Sequence, residues 1–158
     1  MSSFDNAHCK EVLGHYVTGV VVITAMSTEG PAGFTCQTFG SLSVDSALVF
    51  FAATNSSPSW RRVRDTGVLA VNILKDDQEA LARQFALSGT DKFRGVGWFK
   101  APNGSPFLEG AHAYVEGTIR EVTNHGDHDI VVAEMDYAAT EPGEPLVYYR
   151  GGYRRLAK

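Results

Sequence analysis

The densest group of ionisable side chains is His125-Gly126-Asp127-His128-Asp129. Two imidazoles and two carboxylates in five residues have the chemistry to bind a metal or to move protons near neutral pH. If the segment is extended, neighbouring side chains point to opposite faces, so Asp127, His128 and Asp129 cannot all converge on one ion. Two readings stay open: a turn with a solvated histidine, and a His128 that faces a cofactor or substrate. A second group runs from Gly33 to Ser43 and is rich in small and hydroxyl residues. Small side chains let the backbone approach a flat heterocycle, and exposed N–H and O–H groups can reach a phosphate; the same residues can also satisfy only their own loop. A third group, Asn55-Ser56-Ser57-Pro58-Ser59-Trp60, places a serine N-cap and a proline at the first helical position before Arg61, Arg62 and Arg64. Such a helix start can hold an anion without a basic protein around it, or can be a simple capped helix.

Other chemistry has no local support. The chain lacks GxGxxG, a P-loop, GxSxG and HExxH. Cys9 and Cys36 form no CxxC pair and are too few for a disulfide framework, so both read as small buried thiols in a reducing compartment. Trp60, Phe39 and Phe93 read as core aromatics.

Elements must position these groups. Phe4 to Tyr16, with Val12, Leu13 and Tyr16 apolar, predicts a short amphipathic helix. Val20 to Met26 is a β-branched strand, and Thr28-Glu29-Gly30-Pro31 turns it into a second extended segment through Phe34 and Thr35. Ala47 to Ala53 and Val68 to Leu74 are continuous apolar runs, which predicts burial on both faces. Asp76 to Leu87 reads as a helix with Leu81, Ala82 and Phe85 on one stripe. After a stretch from Gly95 to Gly110 punctuated by Gly and Pro, strands are expected at Ala111 to Val122, Asp129 to Ala139 and Leu146 to Arg150. Regular strand–helix alternation is missing, so an antiparallel barrel is favoured over a parallel sheet.

Composition sets the outer bounds. At 158 residues the chain fits one domain, residues 1–158, with a real hydrophobic core. A formal charge of −4 argues against a nucleic-acid partner or an acidic lipid surface. No apolar run approaches the roughly 18 residues that span a bilayer, and the first residues lack a secretory pattern, so a cytoplasmic location is expected.

The order of these segments resembles the flavin reductase-like, FMN-binding split-barrel family, the small components of two-component monooxygenases. The matching pieces are Thr18 to Thr24, Gly33 to Asp45, Leu69 to Leu74, Gln78 to Phe85, Asp91-Lys92-Phe93, Gly126-Asp127-His128, and Pro145 to Arg150 with Tyr153. The resemblance implies a mainly β protein with short helices: a six-stranded antiparallel split β-barrel acting as a homodimer. It further implies an NAD(P)H-dependent flavin reductase that takes NADH or NADPH and FMN or FAD and supplies reduced flavin to a partner monooxygenase. Thr18 would lie in the flavin site. Thr35, Cys36, Gln37 and Thr38 would edge the isoalloxazine, Ser41 and Leu42 would reach the phosphate, and Ser57 with Ser59 would complete that end. Lys92 and Phe93 belong to a segment that would close over the flavin, and His128 would sit near the nicotinamide. The chain departs from the family pattern at Val17, at Ser46-Ala47, at Gln37 and at Ala133. Two alternatives carry different chemistry: a split-barrel flavoprotein that retains its flavin for another acceptor, and a non-catalytic flavin or haem module using His128 or His112.

Overall fold

A computed structural model describes residues 5–158. The chain runs α1 (Asn6–Leu13), β1 (Thr18–Gly19), β2 (Val21–Ser27), β3 (Gly30–Cys36), β4 (Gly40–Ser43) and β5 (Leu48–Thr54). It continues through α2 (Pro58–Thr66), β6 (Val68–Ile73), α3 (Glu79–Ala86), β7 (Trp98–Lys100) and β8 (Pro106–Leu108). The last elements are β9 (Ala113–His125), β10 (His128–Thr140), β11 (Leu146–Tyr149) and β12 (Gly152–Arg155). Every named strand pairing is antiparallel, as expected from the missing alternation.

The expected count of six strands needs correction. The main sheet has seven, in the order β3-β2-β6-β9-β10-β5-β4, beside a three-stranded sheet β1-β11-β12 and a β7-β8 hairpin. The additional strands come from segments too short or too rich in glycine to carry a strand signal, such as Gly40–Ser43 and Gly152–Arg155. A second correction concerns β5. Its residues alternate between buried and half-exposed, so the apolar run Ala47 to Ala53 is covered on one face only. β6 is buried through Leu69–Asn72, as the continuous run implied. The α3 helix starts at Glu79, because Asp76 to Gln78 form a turn. The α1 helix forms but buries none of its residues, so its apolar Val12 and Leu13 stay exposed; Phe4, where that helix was expected to begin, lies outside the described residues.

The core that carries the site is aromatic. Trp60, fully buried on α2, meets Phe51 edge-on at 5.8 Å and Phe34 at 6.2 Å. Each such ring contributes about 1.5–3 kcal/mol by leaving water. The sheet also admits α3 closely. A side chain on Gly33 would come 2.8 Å from the Ile23 carbonyl oxygen and 3.0 Å from the Phe85 ring. Gly33→Ala should therefore destabilise the protein by about 1–3 kcal/mol, read as a lower Tm; an unchanged Tm would show that both β2 and the Phe85 ring can give way.

Candidate functional site

Three loops converge where β3 and β5 end and β10 begins. The first follows β3. Its Thr38 hydroxyl accepts from Ala52 N–H at 2.9 Å and lies 3.1 Å from the Ala52 carbonyl, which ties residues 37–39 to β5. Thr35 donates to the Ala82 carbonyl at 2.6 Å and so fixes β3 against α3.

The second loop leads into α2. Ser57 accepts from Trp60 N–H at 3.2 Å and Pro58 occupies the first turn, so the sequence signal for a capped start is realised; Gly67, at φ 75°, ends the helix. Lys92 reaches this helix start from the segment after α3. Its Nζ donates to Ser59 Oγ at 2.9 Å and to the Gly33 carbonyl at 3.2 Å. Burial pulls the Lys92 pKa below the ordinary lysine value. A cation and the positive end of a helix dipole thus share one corner.

The third element is the β9–β10 hairpin. His125 pairs with His128 across a two-residue turn, and Gly126 takes φ 63° at its first position, where a side chain would be strained. His128 lies opposite Thr54 in the β5–β10 ladder, and its Nε2 is 3.5 Å from the Thr54 hydroxyl. Its Nδ1 is 2.8 Å from Asp127 Oδ1. Asp127 is exposed, and the imidazole hydrogen bond holds its carboxyl below the usual range.

Asp129 turns the other way. Trp60 Nε1 donates to its carboxylate at 2.8 Å and Asn124 Nδ2 at 3.3 Å, while Arg64 stands 3.8 Å off. The indole N–H is the main cause of a lowered Asp129 pKa, opposed by burial and assisted by Asn124 and Arg64. A carboxylate whose native pKa is depressed stabilises the fold above its unfolded value of about 3.9, and that stabilisation is lost as pH falls through the native value. Asp129→Asn should accordingly lower Tm at neutral pH, with the gap to wild type closing below about pH 4. A gap that persists unchanged at acid pH would exclude ionisation as its cause.

These elements line a cavity of about 610 Å³ that brings together Thr35, Cys36, Gln37, Thr38, Ser57, Ser59, Lys92 and His128. Cys36 contributes no thiolate: burial raises its pKa, and its Sγ sits 3.2 Å from the Thr38 hydroxyl. Thr18 and Ser41 line a neighbouring cavity that meets the first at Gln37 and Thr38. The structure does not bring Ser41 to Ser57 and Ser59. Ser41 pairs with Val49, near the start of β5, whereas α2 follows its end at Thr54, roughly 16 Å of strand away. Leu42 is exposed and lines neither cavity. Phe93 is not a cavity residue either; it packs edge-on against Phe85 at 4.9 Å and Trp98 at 6.5 Å, anchoring the segment that carries Lys92. His112 stands beside Gly143, and neither cavity includes it.

The cavity also includes Arg62, one of the arginines noted at the α2 start, while the sequence reading gave no site role to Phe85 or Ser88-Gly89-Thr90, which line the wall as well. That reading also missed the role of Asp129. A signal existed for Asp129: it shares the buried face of β10 with Val131 and Ala133, where a carboxylate needs a partner.

A family model described as flavin reductase like domain matches residues 13–157. The chain belongs to the flavin reductase family. A flavin reductase from Pseudomonas putida is 36% identical over 158 residues, covering 99% of this chain and 93% of that one. The reductase subunit HsaB of a flavin-dependent monooxygenase from Mycobacterium tuberculosis is 37% identical over 147 residues, covering 91% and 79%. Among solved structures, the NADH:FAD oxidoreductase SgcE6 of Streptomyces globisporus, in complex with NAD and FAD fragments, superposes with a TM-score of 0.92 at 32% identity, covering 97% of this chain and 93% of that one. These flavin reductase neighbours share the split-barrel fold.

Proposed function

We propose that this chain, an NADH-dependent flavin reductase, works as a homodimer whose residues 1–158 form one domain and which hands reduced flavin to a separate flavin-dependent monooxygenase in the cytoplasm. The observation that carries the site assignment is the convergence of Lys92, Ser57, Ser59 and the α2 start with Thr35, Thr38 and His128 in one cavity. The residues present fit a flavin. A half-buried cation beside a helix start suits the phosphate, and small or hydroxyl side chains after β3 leave room for the ring edge. The Thr18 hydroxyl, buried without a hydrogen-bond partner and lining the adjoining cavity, supplies a further polar contact.

Bound flavin supplies a hydride acceptor for NADH, and the protein's task is to orient two rings and exclude other geometries. Lys92 and Ser59 anchor the phosphate end. Thr38, locked on both sides to Ala52, holds the loop that edges the ring. His128, steadied by Asp127 and Thr54, presents an imidazole edge to the nicotinamide. Exposed apolar residues on and after α1, with Leu13 at 71% and Tyr16 at 80% exposure, together with Leu42 on edge strand β4 and Val44 just after it, support a second copy as neighbour. Among the described residues no helix is long and apolar enough to cross a membrane.

NADH oxidation by purified protein, with and without added FMN or FAD, tests this reading. Saturable turnover that requires added flavin is expected; flavin binding without turnover would overturn it. His128→Ala should slow NADH oxidation about tenfold or more with flavin affinity little changed, as expected for loss of a positioned hydrogen bond. Unchanged kinetics would remove its role.

A further inference from the structure

Gln84 lies outside the site cavity, yet it holds the chain that enters it. Residues 87–97, between the end of α3 at Ala86 and the start of β7 at Trp98, form neither helix nor strand, so their backbone groups need partners from elsewhere. Two neighbours on α3 fix their path. The Phe85 ring packs edge-on against Phe93 at 4.9 Å. The Gln84 side-chain amide donates to the Lys92 carbonyl at 2.6 Å and to the Arg94 carbonyl at 3.0 Å. These two carbonyls flank Phe93. A single ring contact leaves a chain free to swivel about it, and a bond on either side removes that freedom. Asp91 stiffens the same turn by accepting from Phe93 N–H at 3.2 Å.

The Lys92 ammonium is what this loop delivers. Lysine is a point charge on a flexible stem, so where the charge stands depends on where its own backbone is held. The contacts close into a ring. Thr35 on β3 donates to the Ala82 carbonyl of α3, Gln84 of α3 holds Lys92, and Lys92 returns to the Gly33 carbonyl of β3 and to Ser59. Gln84 Nε2 carries two hydrogens, one for each carbonyl, and a side chain without that amide, or one methylene shorter, cannot serve both.

We propose that Gln84 is a positioning residue for flavin binding that acts through Lys92 alone: its amide fixes the loop so that the ammonium stands at Ser59 before flavin arrives. The phosphate then meets a cation that has little freedom left to lose. The proposal rests on the flavin site argued above.

Gln84→Met keeps length and bulk and removes both donors. The freed carbonyls belong to half-exposed Lys92 and exposed Arg94 and turn to water, so the fold persists. Gln84→Asn keeps the amide one methylene short and serves as a second, milder variant. FMN and FAD affinities are measured by fluorescence quenching at low and raised salt, for each variant in the wild-type and the Lys92→Met backgrounds. Each Gln84 variant should weaken both flavins alike by about fivefold and flatten the salt dependence, as expected for a lost hydrogen bond that aims a charge. In the Lys92→Met background the same changes should cost less than about twofold, because the group they act through is gone. Affinities within about twofold of wild type for the single variants overturn the proposal, and so does a fivefold loss that recurs undiminished in the Lys92→Met background. Both outcomes leave the flavin site standing. Lys92→Met protein that binds flavin as tightly as wild type overturns the phosphate corner itself and Gln84 with it.

Discussion

Lys92→Glu should weaken flavin binding by about a hundredfold or more, whichever flavin is used. Lys92 is the cation that reaches the start of α2, bonding Ser59 Oγ and the Gly33 carbonyl. Hydrogen bonds to charged groups contribute about 1.5–3 kcal/mol, and the reversed sign adds repulsion of a phosphate at the same corner. Lys92→Met separates charge from bulk and should weaken binding by about tenfold at least, with the salt sensitivity of binding reduced. A partner experiment fixes the place of the phosphate. Ser59→Asp should cost affinity as Lys92→Glu does, whereas Ser41→Asp, at the other end of β5, should cost far less; the opposite ranking would move the phosphate to β4.

The second large effect is on stability. Trp60→Ala should destabilise the fold by about 3–5 kcal/mol, because it removes a fully buried ring packed on Phe34 and Phe51 and leaves a cavity. It also strips Asp129 of its 2.8 Å donor. Against a typical domain stability of about 5–15 kcal/mol, this is enough to threaten folding at growth temperature. Trp60→Phe keeps most of the volume and should cost less, with the remainder reporting the orphaned carboxylate. Denaturant unfolding of the two variants separates packing from polar loss; since both lack the indole N–H, equal costs would show that the ring packing contributes nothing beyond it.

Local chemistry made much of this legible in the residues. Ser57-Pro58 announced a capped helix start, the β-branched run Val20 to Met26 gave β2, and the missing strand–helix alternation pointed to antiparallel pairing. What escaped was set by tertiary contact. The fact that β5 is covered on one face only depends on what packs there, and no count of apolar residues reports it. Phe93 fell beside Lys92 in one tripeptide, yet the two side chains part: the ring goes to Phe85 and the ammonium to Ser59. Leu42 and Ser41 sit in a segment of suitable composition, but the pairing of β4 with β5 carries them away from α2. Composition identifies residues able to contact a ligand, and strand register decides which of them do.

His128 and Asp129 are consecutive on β10 and face opposite ways, one to the cavity and one to the indole of α2. The strand therefore links the helix proposed to receive the phosphate to the imidazole. Release of α2 by heat or acid is therefore expected to tilt His128 as well, leaving no partly loosened form that still reduces flavin. Loss of activity and loss of structure should trace a single curve, and reduced flavin, which oxygen destroys wastefully, should cease to be made as soon as the scaffold fails.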